Sequence, residues 1–559
     1  MIKKNIFFEW YESKNKKTEK KLLLVWKVLF LLLFLSIFLW SLVTIAQNSL
    51  NYYGLENFIE NIKDFFSFSN NSNYPGQNLW LISLQLIWKT FQYVLLGSIF
   101  GFLLALFTGF LASSLLKNKI YFLFKILIIF LKALPIWIFL YAFQISLSRD
   151  LAATAIILWF SWLWNHKYII EIFDNNKFDS YYQKIKKGQN RFVVFITEVI
   201  PRVNNKLLTL FFYSLESNIL WTTILSSLGL LGIGQLIDST YANNLVGIKA
   251  LAIPLFSLFA FLLFFELLIF YFNKYLFKQK TIKKIKYPDW HWKKIVKIFF
   301  LLLTIALVIY SLINLEWSSF NEEAFRAFFN KLIHPIFKIT DFNFGKAILE
   351  LFQAAIVIIV FSVILGFLFS LLFNENLNKK RVYWNFKVLS TFMRLFPTVA
   401  LIFIFAPLFS LHHTFLICLI MIFNVSATFA KQFSEMINNI NWAIYRNLKK
   451  QNYSYFFIVK NFIYPSIKKE MWKNIIFKFE NILRNFIFLG AYGGSLIGYK
   501  LNIFLETGPT YNIQAFGGIV LILFIIFFLI EFFSTWEFQK FIKNLWRAIK
   551  HKKINLIYN

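Results

Sequence analysis

Apolar runs of roughly twenty residues recur along almost the whole chain, separated by short Lys-rich segments, and this pattern limits the possible folds more than any other feature. In lipid, such a run must satisfy its own backbone hydrogen bonds, and a helix does so within a single segment. Residues 22–46 are nearly uninterrupted apolar sequence apart from Lys27, too long for the core of a secretory signal, so they read as a retained anchor. Further runs cover 90–115, 121–145, 151–164, 207–233 and 251–272, and then 295–313, 349–373, 383–409, 411–427, 474–497 and 513–533. The fold class expected is all-α, a polytopic membrane protein with about twelve transmembrane helices in two parallel six-helix repeats.

A chain that is 58% hydrophobic and 15% charged is too apolar for a soluble globular protein of 559 residues. The net charge of +32 raises the question of nucleic acid, but the basic residues lie between apolar runs instead of on one soluble surface, so no nucleic-acid partner is expected. Cys418 stands alone inside an apolar run, and the His412-His413 pair has no acidic or Cys neighbour, so neither a disulfide framework nor a metal site follows. No G-x-x-x-x-G-K-[ST] stretch occurs, so nothing in the chain cradles nucleotide phosphates as a P-loop does.

Lys and Arg concentrate on the segments that fall inside if the amino terminus is inside. Both termini, the linker 273–294, the tail 535–559 and two long basic loops, at about 165–206 and 428–473, are therefore expected in the cytoplasm of a cell with a multi-pass plasma-membrane protein. Residues 48–80, which hold a Tyr74-Pro75-Gly76 turn, and 314–346 are then external.

The two halves also share landmarks at a nearly fixed spacing. Gly101 and Gly366 are 265 positions apart, Pro135 and Pro397 262, Pro201 and Pro465 264, Glu216 and Glu480 264, and Glu266 and Glu531 265. Residues 1–272 thus form a first repeat and 295–534 a second, parallel to it. Within them, residues 216–236 and 480–501 put carboxylates, Asn218, Thr222, Thr223, Arg484 and several glycines into otherwise apolar sequence, where polar groups are costly unless paired or facing water.

In each half, a Gly or Asn in the basic loop (Gly188, Asn452) stands thirteen residues before a Pro (Pro201, Pro465), and the buried Glu follows fifteen residues later. This resembles the permease subunits of binding-protein-dependent ABC importers, whose coupling loop carries a Gly and a distant Pro. More closely it resembles the phosphonate-type permeases, in which the following span reads much like E-x-N-V-R-A-S-T-V-L-G-x-x-G-x-G-G-I-G-Q. The first copy agrees at Glu216, Asn218, Thr223, Leu225, Gly229, Gly232, Ile233, Gly234 and Gln235, and the second at Glu480, Arg484, Leu489, Gly490, Gly493, Ile497 and Gly498. The family's R-x-x-P matches Arg394 to Pro397 and, with Lys for Arg, Lys132 to Pro135. Departures are the loop Gly replaced by Asn452, and the missing acidic and Ala residues before the loop, where Tyr182-Gln183-Lys184 and Arg446-Asn447-Leu448 stand.

The resemblance implies two permease units fused in one chain, without catalysis or a cofactor of its own, ATP and Mg being held by a pair of partner ATPase subunits. It further implies an extracellular solute-binding lipoprotein and a small anionic solute such as a phosphonate. The apolar positions Phe192, Phe195 and Ile196 in one loop and Phe456, Val459 and Ile463 in the other recur every three or four residues, as on a helix seated in a partner groove or on anionic lipid. Arg484 either pairs with Glu480 one turn away or meets the solute, as Lys132 and Arg394 could. Glu216 either ties helices together or lines the pathway; Gly232, Gly234, Gly490 and Gly493 either pack helices closely or hinge a gate. An ion-coupled secondary transporter with two parallel six-helix halves is the rival reading.

Overall fold

The computed structural model describes residues 8–12, 18–47, 49–70, 78–116, 119–176, 178–225, 232–242, 247–272, 290–317, 320–339, 342–410, 414–506 and 512–534. The 74–76 turn, Gly229, His412, His413, linker residues 273–289 and the 535–559 tail lie outside them. A short antiparallel hairpin, β1 (Phe8–Glu12) with β2 (Thr18–Leu22), precedes an otherwise helical chain.

Helix α1 (Leu24–Ala46) and the short α2 (Leu55–Phe65) lead into α3 (Leu79–Leu111), α4 (Lys119–Ala133), α5 (Ile136–Ser146) and α6 (Arg149–Asn175). Then come α7 (Asp179–Lys186), α8 (Arg191–Val194), α9 (Ile200–Leu225), α10 (Ile233–Ala242) and α11 (Gly247–Tyr271). The same succession returns as α12 (Trp290–Ile313), α13 (Glu322–Leu332), α14 (Phe344–Leu372), α15 (Lys380–Leu395), α16 (Thr398–Phe405) and α17 (Thr414–Asn438). It continues with α18 (Trp442–Lys450), α19 (Tyr455–Ile458), α20 (Tyr464–Phe488), α21 (Leu496–Glu506) and α22 (Ile513–Ser534). Even an irregularity recurs, a π-helical turn at Phe195–Val199 before α9 and at Val459–Ile463 before α20.

The protein is an α-helical, polytopic membrane protein. Among the described residues, seven helices are long and apolar enough to cross a bilayer: α1, α3, α11, α12, α14, α17 and α22. The α4–α5 and α15–α16 pairs, bent by 76° and 84° at Pro135 and Pro397, raise the number to nine if each is one broken span. The other three expected spans fall on α6, α9 and α20, which carry charges and amides that the protein buries, and so do not register as purely apolar.

Both basic loops differ from the sequence reading at each end. Residues 165–175 and 428–438 belong to α6 and α17, and α9 and α20 begin at Ile200 and Tyr464, so each basic loop is shorter than expected. Asn165 and His166 looked like the start of a polar loop but are buried within α6. The Asn165 amide donates to the Ser161 carbonyl and to Ser214 Oγ, and His166 Nδ1 lies 2.9 Å from Thr108 Oγ1.

Two compact units are present. One gathers Met1–Gly54, Asn343–Ser390 and Ala406–Gly498, and its centre is α14 against α17, with α20 and α1 packed on α14. A Cβ on Gly366 would stand 2.5 Å from the Phe429 Cβ, so the α14–α17 approach requires glycine there. The other gathers Leu55–Phe342, Thr391–Phe405 and Tyr499–Asn559 around α3 against α6, where Gly101 permits the same approach to Ser161. In that unit α12 lies on α3, and α22 lies on α4 and α13. Each repeat's leading span therefore packs on the other repeat's helix: α1 on α14, α12 on α3.

Gly188 and Asn452 both adopt left-handed backbone, at φ of 83° and 58°. Asn tolerates this region better than other side-chain-bearing residues, which explains how it stands in the place of the expected Gly. Asn452→Val should lower stability by about 1–2 kcal/mol and Asn452→Gly should leave it unchanged or slightly raised, as followed by thermal unfolding of the purified protein in detergent. Equal stability of the two variants would contradict the left-handed turn.

Candidate functional site

Both broken spans place a cation in the last turn before the break, Lys132 in α4 and Arg394 in α15. The carbonyls at a helix C-terminus favour positive charge there, and proline, lacking an N–H, does not continue the ladder. Each cation is closed by a carboxylate from the last span of the other repeat. Lys132 Nζ donates to Glu531 Oε2 at 2.7 Å, and Arg394 Nη2 lies 2.7 Å from Glu266 Oε2. Arg394 also reaches α9 through Nη1, 2.9 Å from Glu216 Oε1. Glu266 and Glu531 entered the sequence reading only as repeat markers. Their recurrence as isolated acids at the ends of apolar spans was the signal that a buried cation faces them.

Asn218 cements three helices, its amide donating to Ser98 Oγ of α3 at 2.8 Å and to Ser161 Oγ of α6 at 2.6 Å. Thr222 is buried and bonds its own helix at the Ile219 carbonyl. Gly232 presses against Thr90 and Tyr93, whose hydroxyls would be 2.7 Å from a Cβ, and Ile233 N–H donates to Thr90 Oγ1. Gly234 is buried in the first turn of α10.

In the other unit, Arg484 takes the pairing option. Its Nε and Nη2 both donate to Glu480 Oε1, at 3.2 and 3.0 Å, one turn back along α20. Gly490 lies so close to Gly498 that a Cβ would meet its Cα at 2.5 Å, and Gly493 ends a turn with φ of 81°.

The two basic loops are apolar on both sides. Phe195, expected on a partner-facing stripe, is instead buried with Val194, Val199 and Val203 in the core formed with Tyr181 and Phe173, and stacks on Phe110 at 4.2 Å. Val459 and Ile463 are likewise buried. The stripe that recurs every three or four residues faces inward because the loop helix needs a core of its own. The side chains left outside are Phe192, Val193 and Ile196 in the first loop and Tyr455, Phe456 and Phe457 in the second, with Phe456 74% exposed. Pro201 and Pro465 stand directly after the π turns, where helical backbone continues and the irregular turn takes up the N–H that each proline lacks.

A polar clamp holds the first loop. Glu198 accepts from Ser180 Oγ at 2.8 Å and pairs with Lys184 Nζ at 2.6 Å. The corresponding second-loop positions are Phe462, Ile444 and Leu448, which cannot form it.

Replacing Arg484 by Leu, the residue at the matching position 220, takes the guanidinium away from the buried Glu480 and should destabilise by about 3–5 kcal/mol. Adding Glu480→Leu should restore most of that loss, as measured by thermal unfolding. Hydrogen bonds from Lys184 and Ser180 hold the Glu198 carboxyl below its usual range. A depressed carboxyl stabilises the fold above the ordinary glutamate range and loses its effect as pH falls through the lowered value. Amide-exchange protection across residues 179–203 should therefore hold from neutral pH down to about 4 and fall below it, whereas Glu198→Gln should weaken it at neutral pH and remove the fall on acidification.

No family model and no solved structure matches the chain. Two curated relatives do, both called ABC transport system permease protein p69. The one from Mycoplasma genitalium is 29% identical over 529 residues, covering 92% of this chain and 94% of the relative. The one from Mycoplasma pneumoniae is 29% identical over 435 residues, covering 75% and 79%. The likeness thus runs along most of both lengths, and it is to proteins named as ABC transport permeases.

Proposed function

We propose that the chain is the fused, two-repeat permease of an ATP-driven importer in the cell membrane, with both termini cytoplasmic. It moves a small oxyanion, such as a phosphonate or another phosphorylated compound, received from an extracellular binding protein. A pair of ATPase subunits, which bind ATP and Mg, docks on the two basic loops.

The observation that carries this reading is the duplicated loop. Each copy turns through a left-handed residue, presents exposed apolar side chains on a short helix, passes a π turn and runs on into a long helix that reaches a buried Glu. Exposed aromatic and aliphatic groups in a basic, polar segment mark a protein-binding surface. They sit at the start of helices rigid enough to carry a push inward. An anionic solute is supported by Arg394 and the buried Lys132 and Arg484 within the helices, since guanidinium matches oxyanion geometry. The relatives' printed name supports the ABC assignment.

Phe192→Asp and Phe456→Asp together should cut recovery of the ATPase with the tagged permease by at least about tenfold, without loss of the folded permease in membranes. ATP hydrolysis by the wild-type complex and uptake that survives collapse of ion gradients are the accompanying expectations. Normal ATPase recovery with the double variant would overturn the docking assignment, and uptake abolished by an ionophore would favour ion coupling.

A further inference from the structure

We propose that Glu266 and Glu531 are positioning residues that act as reciprocal latches, each holding the elbow of the other repeat's broken span until the transport cycle pulls it away. The proposal rests on the permease reading above and adds to it the groups that resist movement.

Three observations converge. The cations stand at the breaks themselves, three residues before Pro135 and Pro397, where the chain turns by 76° and 84°. A broken helix concentrates bending at one place, so a charge fixed there controls the angle between its halves. The pairs also cross between repeats. Lys132 of the first repeat meets Glu531 of the second, and Arg394 of the second meets Glu266 of the first. A pair that only cemented one repeat would lie inside it, as Glu480 and Arg484 do on one helix. Both crossed pairs lie within the compact unit built around α3 and α6, so what they resist is bending at the two elbows inside that unit.

The third observation is a mechanical link. Arg394 also holds Glu216, and α9 runs unbroken from Ile200, next to Pro201 of the first loop, through Glu216. At 1.5 Å per residue, that is about 22 Å of continuous helix between loop and elbow. A displacement of the loop thus acts on the guanidinium that Glu266 restrains. Departure of Glu266 removes one of the two carboxylates on Arg394, while the one on α9 stays.

The test uses the whole chain with its co-purified ATPase in proteoliposomes. Glu266→Gln and Glu531→Gln keep side-chain volume while removing the latch charge. Each should raise ATP hydrolysis without solute at least about threefold, since less resists the motion. The exchanged pair Lys132→Glu with Glu531→Lys should return it to the wild-type level. In a separate variant carrying Lys132→Cys and Glu531→Cys, a short bis-methanethiosulfonate reagent should bridge the two sites without nucleotide, with the yield falling several-fold after trapping with ATP, Mg and vanadate. A merely structural pair would lower thermal stability in the Gln variants while leaving hydrolysis rate and bridging yield unchanged, and that outcome would overturn the latch. A wild-type complex that hydrolyses no ATP would overturn the permease reading itself, and the latch with it.

Discussion

A charge inside a membrane protein persists only with its counter-ion close by, and the interior of this chain is arranged around that requirement. Among the described residues, the buried Lys132 and Arg484 and the mostly buried Arg394 meet four carboxylates at 2.7 to 3.0 Å. Separating a buried pair costs several kcal/mol, because each charge then bears its desolvation without the attraction that offset it. Those between helices tie α4 to α22 and α15 to α9 and α11, where in lipid the side chains of neighbouring helices gain little from leaving one apolar environment for another. Close approach supplies the rest. Gly101 and Gly366 bring α3 onto α6 and α14 onto α17, and these two helix pairs give each unit a rigid centre.

Such a centre leaves the remaining helices able to take different roles. The leading spans α1 and α12 are largely exposed along their apolar faces and lie at the outside of their units, on α14 and α3. The helices that carry polar groups, α6, α9 and α20, turn those groups toward protein. Asn218, with Ser98 and Ser161, shows how: one amide satisfied by hydroxyls from two other helices fixes the rotation of all three. An amide so placed is satisfied by the fold itself.

This division explains which features were legible in the sequence. Outer spans show as unbroken apolar runs, and α1, α12 and α22 lie within a few residues of their expected places. Inner helices do not. Asn165 and His166 read as the end of a span because a single sequence does not reveal that Ser214 and Thr108 wait on neighbouring helices. The same blindness to partners misplaced Phe195 and Val459, whose three- and four-residue spacing was genuine but belonged to an internal core. Asn452 is the opposite case. Its position in the repeat marked it as the counterpart of Gly188, and its side chain is one that the left-handed turn accepts. The acids Glu266 and Glu531 were visible as a recurrence, yet only the fold shows that each serves the repeat it does not belong to.

Duplication has not kept the two halves equal. Glu216 and Glu480 hold matching places, but the first, with Leu220 one turn on, draws its partner Arg394 from α15, while the second binds Arg484 on its own helix. The first loop is clamped by Glu198, Lys184 and Ser180, and the second has Phe462, Leu448 and Ile444 in their stead. The clamped first loop runs into a helix whose Glu216 pairs with Arg394 at an elbow, while the second loop lacks those three clamp residues and its Glu480 has an Arg one turn away on α20, a difference that a symmetric pair of subunits encoded by one repeat could not have acquired.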